Sequence, residues 1–132
     1  MSEPLYVITY EDLLMLYGKA MRVERPEDYV RDEGGLRSNL GRVYQSAFGK
    51  DTYPTLHEKA AAFLHAFGTT QHFADGNKRA AVTTMLTFIK MNGYKLDPAA
   101  INILDDVVVD LANGVRTQES VAFWLKIVID PA

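Results

Sequence analysis

The chain has 132 residues, 48% hydrophobic and 23% charged, which is the composition of one globular domain and lies outside the disordered range. Its 14 lysines and arginines against 17 aspartates and glutamates leave a net charge of −3, excluding a protein devoted to coating a nucleic-acid backbone. It contains no cysteine, so a disulfide scaffold, a thiolate zinc site and a cysteine nucleophile are excluded together.

In chain order, MSEPLYVITY lacks the profile of a signal peptide, and no apolar run approaches the ~18 residues of a membrane span. The expectation is a soluble, cytoplasmic, single domain over residues 1–132. Tyr6, Val7 and Ile8 carry a weak strand signal. Thr9 and Asp12 have capping-box spacing, and Leu13, Leu14, Leu16 and Tyr17 follow as an apolar stripe, predicting a helix over 9–22. Val23 to Leu36, with Pro26 and the Gly34-Gly35 pair, reads as a surface connection holding at most a short helical turn.

A second, shorter helix is expected over 36–47 and a small hairpin around 43–54, broken by Gly49, Asp51 and Pro54. Thr55 and Glu58 form another capping box. Leu56, Ala60, Phe63, Leu64 and Phe67 then give a buried helical face, with Gly68 placed for a left-handed terminus. After a loop from Thr69 to Gly76, residues 77–91 resume the helical pattern until Asn92-Gly93. Asp97-Pro98 opens a further helix that Gly114 closes. Thr117 caps a last one carrying Val121, Trp124, Leu125 and Val128. The reading is an all-α compact bundle of about six helices, with at most a small β-hairpin.

The densest chemistry is the run Gln71-His72-Phe73-Ala74-Asp75-Gly76-Asn77-Lys78-Arg79, which leads into a helix. A helix N-terminus presents unpaired N–H groups and partial positive charge, so it suits an anion. Gly76 permits close approach or positive φ, Asn77 adds a side-chain donor, and Lys78 and Arg79 add two cations. Asp75 is a hard oxygen ligand suited to a magnesium ion bridging phosphates. The plain alternative is that Asp75 caps the helix and the two cations are solvated. Against it, two cations in a first turn oppose the helix dipole and call for something negative nearby.

The run resembles the loop of the Fic/Doc family, H-x-F-x-[D/E]-[G/A]-N-[G/K]-R, and lysine in the next-to-last place resembles its death-on-curing (Doc) branch. Phe73, Asp75, Gly76, Asn77, Lys78 and Arg79 match place for place. Gly34-Gly35-Leu36, Gly41-Arg42-Val43, the stretch from Asp51 to Leu56, Glu58 to Ala61, Phe88 and Asn92-Gly93-Tyr94 extend the likeness over residues 9–125.

The resemblance implies a Fic fold and a toxin of a toxin–antitoxin pair. It implies ATP with Mg2+, phosphate transfer to a threonine hydroxyl of a translation factor such as elongation factor Tu, and a small antitoxin whose C-terminal helix fills a groove. It implies no membrane and no direct nucleic-acid contact. Gly76, Asn77, Lys78 and Arg79 would hold phosphate, with Lys78 and Arg79 also catalytic, and Asp75 would hold the metal. Lys50 and Tyr53 fall in the region of the flap that lines up the target.

One departure bears on activity. The family's catalytic histidine stands where this chain has Gln71, and the histidine present, His72, is one place late. Glutamine can orient a hydroxyl but cannot take its proton at neutral pH. General-base assistance is worth about 10²–10⁴ in rate, while positioning and charge stabilisation carry most of phosphoryl transfer. Losing the base cripples the chemistry and spares the nucleotide site. Gln71 marks an inactive or repurposed member, an inactivating substitution or, last in order, a protein rescued by His72. The alternatives to a Doc-like kinase are an AMP transferase and a non-catalytic nucleotide- or partner-binding module.

Elsewhere, His57 and His65 lie eight residues apart on one helix, too far for a shared metal. Phe63, Phe67, Phe88 and Trp124 are spaced as core. Asp105, Asp106 and Asp110 read as a solvated helix face.

Overall fold

Thr9 caps the first helix as its spacing predicts: its hydroxyl accepts from Asp12 N–H at 3.1 Å, and the Asp12 carboxylate accepts from Thr9 N–H at 3.0 Å. The computed structural model, which describes residues 4–132, places α1 at Tyr10–Met21, with Leu13, Leu16 and Tyr17 buried. Tyr6, Val7 and Ile8 join no strand. Ile8 is instead buried, and its N–H donates to the Tyr44 hydroxyl at 2.9 Å.

The connection after α1 ends sooner than its glycines suggest. A 3-10 turn occupies Pro26–Tyr29, and α2 runs over Glu33–Val43, earlier than the 36–47 expected. Asp32 is the cap, accepting from Gly35 N–H at 2.8 Å. Gly34 and Gly35 lie inside the first turn. The reason for glycine at 35 is a close approach: a Cβ there would stand 2.4 Å from the His72 ring.

The hairpin is smaller than its predicted window, with β1 (Ser46–Ala47) paired antiparallel to β2 (Lys50–Asp51) across Phe48 and Gly49. Both turn residues have positive φ, 55° and 77°, as a two-residue hairpin loop demands. Thr55 caps α3 (Leu56–Gly68), and α4 covers Asn77–Met91. Gly68 is not a left-handed terminus. It is the last residue of α3, and Thr69 follows at φ −105°. A Cβ on Gly68 would meet Val108 Cγ1 at 2.7 Å, so the residue is small to let two helices touch.

The single helix expected from Asp97 to Gly114 is two, α5 (Pro98–Ile101) and α6 (Leu104–Ala112). Asn102 and its β-branched neighbours Ile101 and Ile103 are weak helix formers, and the chain breaks there. Asp97 makes no side-chain cap bond, whereas Thr117 caps α7 (Gln118–Val128) as expected. The β-structure includes a pair with no sequence signal, β3 (Tyr94–Leu96) antiparallel to β4 (Ile129–Pro131). The described residues thus form an all-α fold of seven helical segments with two small strand pairs.

Helix α3 is the centre and packs against α2, α4, α6 and α7. Ala60, Ala61, Ala62 and Ala66 are fully buried on it and admit close helix approach. Phe63 meets Phe88 of α4 at 5.0 Å between ring centroids, with Tyr44 edge-on at 5.9 Å. Phe67 is also buried, and Trp124 packs half-buried on the rim of the core. Nearer the loop, a Cβ on Gly68 would lie 3.6 Å from Ala81 of α4, so the end of α3 also packs on the first turns of α4.

Candidate functional site

Residues 69–76 are held from four sides. Thr69 and Thr70 hydroxyls fold back onto the carbonyls of His65 and Ala66, and Asn39 of α2 donates to Ala66 O and to the Thr70 hydroxyl at 3.0 and 3.1 Å. A single bridge pairs Val30 with Phe73. Beside it, Arg31 and Asp32 N–H donate to His72 O, and Ala74 N–H donates to Tyr29 O at 2.7 Å. From α1, the buried Tyr17 ring stacks on Phe73 at 3.9 Å, and its hydroxyl donates to Asp75 O at 2.7 Å. Burial of Tyr17, with Asp75 and Tyr29 nearby, raises its pKa and keeps the hydroxyl a donor.

Asn77 closes the loop on itself. Its Nδ2 donates to Phe73 O and its Oδ1 accepts from Phe73 N–H, both at 3.0 Å. One Nδ2 N–H of Asn77 is thus committed to the loop, while its second N–H and the backbone N–H have no partner among the described residues.

Gly76 is left-handed (φ 72°) and is the N-cap of α4 without any side-chain cap bond. The capping role considered for Asp75 is thus absent: among the described residues its carboxylate accepts only from the adjacent Gly76 N–H, at 2.8 Å. The free donors at this terminus are the N–H groups of Asn77, Lys78 and Arg79, since Ala80 N–H already bonds Gly76 O. The first turn holds no acid, and neither Lys78 nor Arg79 has an ion-pair partner among the described residues. Arg79 lies near Met21, with Nη1 3.9 Å from Sδ. Met21 also covers Gly76, where a Cβ would sit 2.5 Å from its sulfur.

This terminus opens on a cavity of about 800 Å³. Gln71, Asp75, Gly76, Asn77, Lys78 and Arg79 all line it. Gln71 is exposed and its side chain makes no hydrogen bond among the described residues, so it is free to meet a ligand. His72 does not line the cavity. It turns onto Gly35, with Nδ1 3.4 Å from Asp32 Oδ2.

Two carboxylates, Asp75 and Asp105, border the cavity, and magnesium is commonly held by one or two carboxylates with phosphate and water completing the shell. No cluster of three or more acidic or histidine ligands occurs among the described residues.

Lys50 and Tyr53 do not line this cavity. Lys50 is exposed on β2, and Tyr53 borders a separate cavity of about 450 Å³ with His57 and Glu58. His57 Nε2 sits 3.1 Å from the Thr55 hydroxyl, and burial lowers the pKa of both His57 and His65. Sequence reasoning missed three contributors. Tyr17 and Met21 come from α1 through the fold. Asp105, read as part of a solvated face, forms a cavity wall with Val109 and Ala112, a 0, +4, +7 pattern that was legible. Asp110 of that face pairs with Arg116 at 2.9 Å.

The uncapped start of α4, carrying Lys78 and Arg79, thus lines a cavity of a helical domain. The Fic/DOC family model matches residues 7–89, and the chain belongs to that family. It is 38% identical over 90 residues to "Toxin Doc" of Mycolicibacterium smegmatis, covering 68% of this chain and 67% of that protein. It is 31% identical over 97 residues to "Protein kinase doc" of Escherichia phage P1, covering 74% and 75%. Among the described residues, no helix is long and apolar enough to cross a membrane.

Proposed function

We propose that the chain is a Doc-type toxin that binds ATP at the start of α4 and transfers phosphate to a hydroxyl of a translation factor such as elongation factor Tu, slowly because of Gln71. The observation that carries the reading is the cavity in which unpaired Lys78 and Arg79, the free N–H groups of α4, Asp75 and Gln71 converge. The N–H groups and Arg79 hold phosphate oxygens, and Lys78 neutralises charge as it moves toward the leaving group. Asp75 would hold Mg2+, which supplies neutralisation of the phosphate charge. Gln71 accepts or donates a hydrogen bond to the target hydroxyl without removing its proton.

The test compares the protein with its Gln71→His variant, offering elongation factor Tu and ATP labelled at the γ- or α-phosphate. Restoring the base is expected to raise γ-label transfer by ~10²-fold or more and to make expression toxic. Transfer of α-label instead would make it an AMP transferase. The placement of His72 on Asp32, away from the cavity, favours a second reading, a non-catalytic nucleotide- or partner-binding module. A folded, ATP-binding Gln71→His protein that labels nothing would establish it. The proposed partner is a small antitoxin with its C-terminal helix in an apolar groove. Exposed Tyr6, Val7 and Met15 on the N-terminal half support such a surface.

A further inference from the structure

We infer that Met21 is an oxidation site built into the cavity at the start of α4, and that a hydroperoxide converting its thioether to the sulfoxide withdraws Arg79 from phosphate. The inference rests on the nucleotide-binding reading above and adds to it a means of control.

Met21 is the last residue of α1 and lies partly buried against the core. Its side chain borders the cavity together with Gly76 and Arg79. The thioether lies along Gly76: a Cβ on that glycine would stand 2.5 Å from the sulfur and 2.8 Å from Cε. The sulfur also faces Arg79, whose Nη1 is 3.9 Å away, and it is the one side-chain acceptor Arg79 meets among the described residues. A thioether accepts weakly, so this contact leaves the guanidinium available to an anion.

Oxidation reverses that. A sulfur lone pair attacks one oxygen of the hydroperoxide, and the O–O bond breaks as the S–O bond forms. With hydrogen peroxide, the leaving hydroxide takes the proton from the new S–OH group and departs as water. The sulfur is oxidised by two electrons and the peroxide is reduced by two. Gly76 closes one side of the sulfur, so the new oxygen stands toward the cavity and Arg79. A strong acceptor there engages the guanidinium in a charge-assisted hydrogen bond and turns its negative end to the place proposed for phosphate. Met15 and Met91 are exposed but do not border this cavity, and Met85 is fully buried.

The test treats the whole protein with hydrogen peroxide until peptide mass spectrometry shows the sulfoxide at Met21, then titrates ATP by calorimetry. Affinity is expected to fall about tenfold or more and to recover after a methionine sulfoxide reductase has acted. Met21→Leu keeps an apolar cover on Gly76 while Met15 and Met91 still oxidise. It is expected to bind ATP equally well before and after treatment, within about twofold. Should Met21→Leu fail to fold, Met15→Leu combined with Met91→Leu isolates Met21 and is expected to lose affinity as the parent does.

Met15 and Met91 converting while Met21 stays a thioether would overturn the inference. So would equal losses in the parent and in Met21→Leu, or a Met21 sulfoxide without effect on affinity. The nitrogen resonances of the Arg79 guanidinium give a readout that needs no nucleotide, expected to shift on oxidation of the parent and to stay in place in Met21→Leu. If the untreated protein binds no ATP, the nucleotide reading fails separately, and those resonances then decide whether Met21 governs Arg79.

Discussion

The Tyr17 hydroxyl reaches across 58 positions of sequence to donate to the Asp75 carbonyl at 2.7 Å, while its ring lies flat on Phe73. One side chain of α1 thereby sets both the apolar anchor of the loop and the peptide that leads into the left-handed Gly76. Tyr17→Phe keeps the stack and deletes the bond. It is expected to cost about 1 kcal/mol in urea unfolding and to weaken ATP binding several-fold by loosening Asp75. Unchanged ATP affinity would show that the loop holds its shape without this bond.

Arg79→Ala is expected to weaken ATP binding by about 10–150-fold, the loss of one charge-assisted hydrogen bond of roughly 1.5–3 kcal/mol, in calorimetric titration. His72→Ala, which touches only the α2 side of the loop, is expected to leave the same titration within about twofold. If His72→Ala abolished transfer in the protein carrying Gln71, the histidine would be the base after all.

Asn77→Ala removes both bonds to Phe73 and leaves that buried peptide unsatisfied. A loss of about 1–3 kcal/mol is expected, with faster exchange of the Phe73 amide as the local signature. An Asn77→Ala protein as stable as the parent would return the side chain to a ligand-binding role.

Gly68→Ala tests the α3–α6 contact. The added methyl meets Val108 Cγ1 in a fully buried place, and overpacking of this kind costs about 1–3 kcal/mol. Val108→Ala makes room for it. The double variant is expected to be more stable than the sum of the single losses by about 1 kcal/mol or more in thermal or urea melts. Strict additivity would mean that the helices separate instead of touching.

His65 predicts a dependence on pH. Its buried Nδ1 has no partner among the described residues, and its pKa is lowered by burial first and by Arg42 second, with Glu119 opposing. The folded protein thus binds this proton less readily than the unfolded chain, whose pKa is the ordinary 6.5. The contribution is present above pH 6.5 and is lost as pH falls through the lower folded value. Urea midpoints are expected to fall between pH 7.5 and 5, less steeply in His65→Gln; equal slopes would remove His65 as the cause.

What could be read from the sequence was what is local. Thr9, Thr55 and Thr117 announce their helices because a cap and its partner are three residues apart. The run from Gln71 to Arg79 is equally compact, so its residue types are legible as a group without the fold. What escaped depends on distant neighbours. Gly35 and Gly68 look like breaks, yet each is small because His72 or Val108 arrives from elsewhere. The β3–β4 pair joins two three-residue segments over thirty positions apart, with no turn to signal it. Lys50 and Tyr53 are assigned to a flap by resemblance alone, and their surroundings, an exposed strand and a separate cavity, come only from the fold.

The uncapped start of α4 has a consequence for how the protein behaves in solution. Without an acid in its first turn, α4 sets Lys78 and Arg79 against its own dipole, a repulsion that an anion held as proposed above would relieve. By mass action, stability then becomes a function of the medium, growing as RT ln(1 + [L]/Kd) with the concentration of phosphate, polyphosphate or nucleotide. Melting temperatures taken in phosphate buffer are then expected to exceed those taken in an amine buffer.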